Sequence, residues 1–292
     1  MPDARGLRAT ALALMTAIAA CATPNRVEPS VPAAEATPPD AAAFVSAQRQ
    51  RVANLSDFAS RGSAELRWTD EQGDHFEQAQ VELAWREAGG RMALRADKLG
   101  ERLAWAGADP ARWWVFEIRA EPSRLLVGPR GSVPRGSALP FAGPESVMEL
   151  MAARPWPDDA RVGAAEPSGG RWIAWRLREP SGHWVASRAL VVAPGSLPLR
   201  VELLDEQGRA IASSELLNPM TVEVRGVAPG AWPLVAGKTR LRTDAGSATW
   251  DVFWDAPGTD PDRLKDRLFD LEVLREVLRP QVVEGDAGSG GR

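Results

Sequence analysis

The feature that most limits the fold of this chain is a two-residue period that restarts again and again between residues 62 and 255. Gly62 opens GSAELRWT, in which Ala64, Leu66 and Trp68 alternate with Glu65 and Arg67. QAQVELAWRE then sets Ala79, Val81, Leu83 and Trp85 against Gln80 and Glu82. Successive side chains of a strand point to opposite faces, so each run is a strand with one apolar face. TDEQGD between them is a turn. RMALRAD, ERLAWAG, RWWVFEI and RLLVG follow, and later RWIAWRLRE, HWVASRALVV, PLRVELLDE, GRAIASSEL, GKTRLRTD and SATWDVFWD. The spacers are too short for crossover helices, so the pattern predicts an antiparallel meander and excludes β-α-β units. PLRVELLDEQGRAIASSEL reads as a hairpin turning at residues 205–208, with Leu199, Val201 and Leu203 on the covered face and Arg200 and Glu202 outside.

Three helical stretches interrupt this pattern. Asp40 is a suitable N-cap for AAAFVSAQRQRVANL, with Phe44, Ala47, Val52 and Leu55 on one side. A Gly- and Pro-rich loop, residues 128–144, precedes ESVMELMAA, which offers Val147, Met148 and Met151 to one side. Near the end, Asp260 reads as an N-cap with Pro261 at the first helical position. The stripe Leu264, Leu268, Leu271, Leu274, Leu278 follows and Pro280 stops it. Residues 281–292 read as a disordered tail. Roughly a dozen strands with three helices make an α+β domain over residues 41–280, and a sheet of that size must curl, split or close.

The single cysteine places the chain in a cell. Residues 9–20 carry no charge, follow Arg5 and Arg8, and end at Ile18-Ala19-Ala20-Cys21. The run is short for a membrane-spanning helix but has the length of a secretory h-region, so residues 1–20 are expected to be a signal peptide. Its last four residues resemble the bacterial lipoprotein signal. That resemblance implies acylation at Cys21, membrane attachment through it and, with Ala22 rather than aspartate next, the periplasmic side of the outer membrane. Residues 21–40, rich in Pro and Ala, read as a tether. The formal charge of −4 argues against nucleic acid as a partner.

Helix, long meander, inserted helix and further strands resemble the lipoprotein-carrier and receptor superfamily, the LolA/LolB-like proteins. The resemblance rests on RVANLSDFASRGSAELRWTDEQGDHFEQAQVELAW and on PLRVELLDEQGRAIASSEL, and spans residues 41–255. It implies a half-barrel: one large curved antiparallel β-sheet with helices as a lid over its concave apolar face. It also implies a lipid or lipoprotein acyl-chain ligand there. Candidate cavity-lining residues are then Trp68, Trp85, Trp105, Leu199, Val201 and Leu203, with Val147, Met148 and Met151 as candidate lid. The composition, twelve Trp, seven Phe and no Tyr, suits an indole-lined cavity and ordinary strand packing alike. Adjacent Trp113 and Trp114 must face opposite sides.

Signals for chemistry are weak. His75 and His183 lack metal-ligand spacing, no G-x-S-x-G elbow occurs, and GPRGSVPRG lacks the ending of a phosphate-binding loop. Its Arg130 and Arg135 could hold a phosphate or headgroup, or simply keep a loop soluble. No catalytic residue, metal site or cofactor is expected, and the oligomeric state is open. Two functions remain: a lipid-anchored binder of acyl chains, with a role in lipoprotein sorting or outer-membrane maintenance, or a structural adaptor whose filled β core binds a protein partner.

Overall fold

The structure, a computed structural model, describes residues 41–70, 73–130, 143–144, 146–167, 169–181, 184–243 and 248–285. The expected leader, the tether with Cys21 and Asp40, Arg135, His183 and residues 286–292 lie outside the described residues.

Helix α1 (Ala41–Val52) leads into a meander of six strands: β1 (Asp57–Asp70), β2 (Gly73–Arg86), β3 (Arg91–Lys98), β4 (Glu101–Ala108), β5 (Arg112–Glu117) and β6 (Arg124–Pro129). After the short helix α2 (Ser146–Leu150) a second meander runs through β7 (Arg161–Ala165), β8 (Arg171–Ser181), β9 (Trp184–Val191), β10 (Arg200–Leu204), β11 (Ala210–Thr221), β12 (Leu234–Thr243) and β13 (Ala248–Gly258). β13 pairs antiparallel with β1, which fuses the two meanders into one curved sheet. Helix α3 (Leu271–Leu278) and a short strand β14 (Val282–Glu284) are the last elements among the described residues. Among the described residues the order is β14-β6-β5-β4-β3-β2-β1-β13-β12-β11-β10-β9-β8-β7, fourteen strands, antiparallel except for the parallel β14–β6 pair.

This order explains the lid. β6 and β7 follow one another in the chain but lie near opposite edges, so the connection between them has to traverse the sheet. Its described part lies on the concave side, where α2 packs into the main apolar cluster with Leu83, Trp85, Val115 and Leu203. α1 covers the neighbouring half of the same face, through Phe44 and Val45 against Ile173, Val191 and Val201. The convex side carries a smaller core. There α3 places Leu271 and Leu274 over Trp105, Trp114, Phe116 and Leu125, while Leu264 and Phe269 cover Ala59, Ala84 and Ala93. Arg112 fixes α3 through Glu272 at 3.1 Å, and Arg86 pairs with Asp266 and the Leu264 carbonyl.

The expected α+β architecture is present, with differences that have physical causes. β1 begins at Asp57, so Gly62 lies within the strand. A Cβ there would stand 2.1 Å from the Phe253 carbonyl oxygen, which only glycine avoids at this close seam between the meanders. Gly128 and Pro129 belong to β6 rather than to the following loop. The expected C-terminal helix is broken. Asp260 accepts from Asp262 N (3.0 Å) but caps only one 3-10 turn, Pro261–Arg263, followed by a second, Asp266–Leu268. α3 starts afresh at the true N-cap, Asp270, whose carboxylate accepts from Glu272 N and Val273 N. The break seats Leu264 and Phe269 on one cluster of the convex side and Leu271 and Leu274 on the next, with Leu268 packed against both. Part of the expected tail is β14, paired with Arg124, Leu125 and Leu126.

Two side-chain expectations also change. Glu202 lies on the convex face with Arg200, yet only 3% of it is exposed, because Arg188 (2.6 Å) and Arg200 (2.7 Å) close over it. Leu199 precedes β10 and is 46% exposed, whereas Val201 and Leu203 are fully buried.

Candidate functional site

The candidate site is the concave face and its covering helices. Val201 and Leu203 lie on it, in adjoining clusters. Trp85 lies on it, buried, against α2. Trp68 lies on the same face of β1 but beyond the core, half-buried and stacked on His75 with ring centroids 4.9 Å apart. Trp105 belongs to the other side: it is odd-numbered on β4, where Ala106 and Ala108 face the concave core, and so packs under α3. Leu199 is outside the cluster altogether. Trp113 and Trp114 do split between faces, concave and convex. Trp114 lies across Gly107, its partner on β4; a Cβ on Gly107 would come within 2.5 Å of the indole.

The three lid residues are brought together on the concave face. Val147, Met148 and Met151 are 2%, 0% and 1% exposed, within the core rather than above it. α2 is tied down by polar contacts as well. Ser214 on β11 donates to the Leu150 carbonyl (2.5 Å), and Trp175 on β8 donates its indole N–H to Glu149 (2.8 Å). Just past the helix, Ala152 adopts a left-handed conformation, and its carbonyl accepts from Arg51 of α1.

Arg51 organises this interior. Its guanidinium is buried and donates to the carbonyls of Ala152 and Leu234 and to Gln48 Oε1 (3.0 Å), joining α1, α2 and β12. Burial lowers its pKa to about 10, which leaves it a cation at neutral pH, compensated by carbonyl dipoles. Gln48 in turn donates to the Ser196 carbonyl (2.8 Å). Hydrophobic patterning alone does not reveal this role. Reading α1 by hydrophobicity selects Ala47, which is half-buried, whereas the buried stripe is Ala41, Phe44, Val45, Gln48, Arg51 and Val52. The helical spacing of Gln48 and Arg51 with Phe44 and Val52 was the available signal.

Where α1, α2 and the β2–β3 turn meet, a cleft of about 430 Å³ opens, lined by Leu55, Trp85, Glu87, Gly89, Gly90, Arg130, Ala153, Arg154 and Pro155. Its floor is apolar and buried: Leu55, Trp85 and Ala153. Arg154 stands over the Trp85 ring, 5.5 Å from the centroid. Arg130 is held at the rim by Nη1 donating to the carbonyls of Gly89 (3.2 Å) and Asp109 (3.0 Å). Among the described residues no cluster of His, Cys, Asp and Glu is placed to hold a metal ion, and no helix is long and apolar enough to cross a membrane.

No protein-family model matches the sequence. No curated protein matches it either. Solved structures do share the fold. A LolA superfamily protein from Nitrosomonas europaea superposes with a TM-score of 0.51 at 11% identity, over 80% of this chain and 98% of its own. A DUF1329 family protein from Desulfovibrio piger gives 0.52 at 11% identity, over 80% and 98%. An outer membrane lipoprotein-sorting protein domain from Vibrio parahaemolyticus gives 0.52 at 10% identity, over 81% and 98%. The chain therefore has a LolA-like fold; at these identities the likeness is one of architecture.

Proposed function

We propose that this protein binds lipid or lipoprotein acyl chains against the concave face of its sheet, while anchored at the periplasmic side of the outer membrane through an acylated Cys21. The observation that carries the reading is the apolar concave face, covered by two helices and opening at one end into a cleft floored by Trp85, in a LolA-like fold. One neighbour of that fold is described as a lipoprotein-sorting domain, which supports a role in sorting or outer-membrane maintenance.

The filled state of the face sets an energetic condition. Withdrawing Val147, Met148 and Met151 costs about 2 kcal/mol per side chain, and breaking the bonds from Ser214, Trp175 and Arg51 adds about 1 kcal/mol each. Each methylene buried in their place returns about 0.8 kcal/mol. A chain of roughly eleven carbons breaks even on these figures, and only longer chains open the face. Native mass spectrometry of the full chain carrying Cys21→Ser tests this. Retained or added long-chain acyl lipid supports the reading, and a folded, lipid-free protein that takes up none refutes it.

A second reading, the adaptor with a filled β core, is favoured by one observation: Met148, Met151, Ile173 and Leu203 are at most 1% exposed, packed within the described core of the concave face. It predicts no saturable lipid binding.

A further inference from the structure

The cleft at the open end of the concave face differs in chemistry from the rest of that face. Its floor is buried and apolar, but its edge carries two guanidinium groups, Arg130 and Arg154, against one carboxylate, Glu87. Neither arginine is a casual surface charge. Arg130 is clasped by a turn of two glycines: Gly89 and Gly90 have φ of 76° and 56°, and a Cβ on Gly90 would come within 2.5 Å of Arg130 Nη2. Glycine is what permits both the left-handed backbone and the close approach. With Nη1 donating to the Gly89 and Asp109 carbonyls, the guanidinium is oriented by backbone carbonyls, and no ion pair to a carboxylate holds it among the described residues. Arg154 is oriented differently, by the Trp85 face, an arrangement that stabilises the cation and keeps its donors available.

We propose that this cleft is a headgroup site for an anionic amphiphile, the phosphate or carboxylate bound at the Arg130 and Arg154 rim and the first methylenes laid on Trp85, Leu55 and Ala153. The proposal rests on the acyl-binding reading of the concave face and adds to it a class of head. Two pre-oriented guanidinium groups suit an oxyanion, which they can bind through paired N–H donors. With Glu87 the third charge among the described lining residues, these carry a net charge of one positive unit, which disfavours a cationic or zwitterionic head. A cleft of this volume lies within the range of small-ligand sites, about 300–1,000 Å³.

The test is calorimetric titration of the full chain carrying Cys21→Ser, with three probes below their aggregation concentrations: dodecyl phosphate, dodecyl maltoside and inorganic phosphate. Dodecyl phosphate should bind saturably, at least about tenfold tighter than the maltoside, and weaken with added salt. Inorganic phosphate should give no saturable heat. Arg130→Gln and Arg154→Gln should each weaken dodecyl phosphate about tenfold at unchanged melting temperature, leaving the maltoside unaffected. Equal affinity for both amphiphiles overturns the headgroup site while leaving acyl binding intact. Inorganic phosphate binding as tightly as dodecyl phosphate overturns it too, since the anion alone would then be the ligand. Should neither amphiphile bind, the headgroup site falls; a neutral palmitoyl lipid then decides whether acyl binding falls with it.

Discussion

Leu199 and Leu203 stand four residues apart on what the alternation assigns to one face, yet one is 46% exposed and the other fully buried. The difference yields a direct prediction. Leu203→Asp places an unpaired carboxylate in the main core and should cost at least about 3 kcal/mol. Leu199→Asp should stay within about 0.5 kcal/mol of the parent, and urea midpoints of the two variants distinguish these outcomes. On the convex face Asp251 is held by Arg240, through contacts of 2.6 and 2.9 Å, and by Lys238 at 3.3 Å. Its hydrogen bond to the Arg240 guanidinium, opposed in part by burial, keeps its pKa below the ordinary 3.8. The folded state therefore binds that proton less readily than the unfolded chain. The stabilisation is complete above the ordinary value and is lost as pH falls through it toward the folded pKa. Stability of Asp251→Asn should accordingly fall less steeply on acidification, measured by urea unfolding from pH 6 down to pH 3. Arg51→Met should cost about 2–3 kcal/mol, since it leaves buried carbonyls of Ala152 and Leu234 without their donor.

Among elements, the strands were the most legible and the helices the least. A strand announces itself by alternation, and Val81, Leu83 and Trp85 on β2 or Trp250, Val252 and Trp254 on β13 do face the core together. Which side of the sheet a strand's apolar set faces depends on register and on bulges. That is why alternation locates the strand of Trp105 but not the face, which is the one under α3 rather than the concave one. In α1 the buried polar pair Gln48 and Arg51 hid the true stripe. The C-terminal leucines fit one long helix locally, but the chain breaks before Asp270, with Leu264 and Phe269 on one convex cluster and Leu271 and Leu274 on the next. That break is testable: Asp270→Ala removes the cap of α3 and should cost about 1 kcal/mol, whereas Asp260→Ala, which caps a single exposed turn, should cost less in the same thermal unfolding assay. α2 is an element of the core rather than a loose flap. Met148→Asp with Met151→Asp should therefore unfold or strongly destabilise the domain instead of merely opening it.

At the scale of the whole molecule, one topological fact links fold to function. A chain that builds both ends of a fourteen-strand sheet in sequence must carry a connection across it, and here that connection supplies the apolar side chains filling the concave face. The same face is thus occupied by the protein itself until something more apolar replaces α2. The account predicts this exchange, and amide hydrogen exchange reports it most directly. With a saturating palmitoyl lipid, the amides of Met151, Ala152 and Ala153, which donate to the Val147, Glu149 and Met148 carbonyls, should exchange at least about tenfold faster than without it, a local opening made populated by the ligand, while amides of β1, β2 and β13 stay protected. No saturable lipid binding, or binding that leaves those three amides as protected as before, would contradict the account.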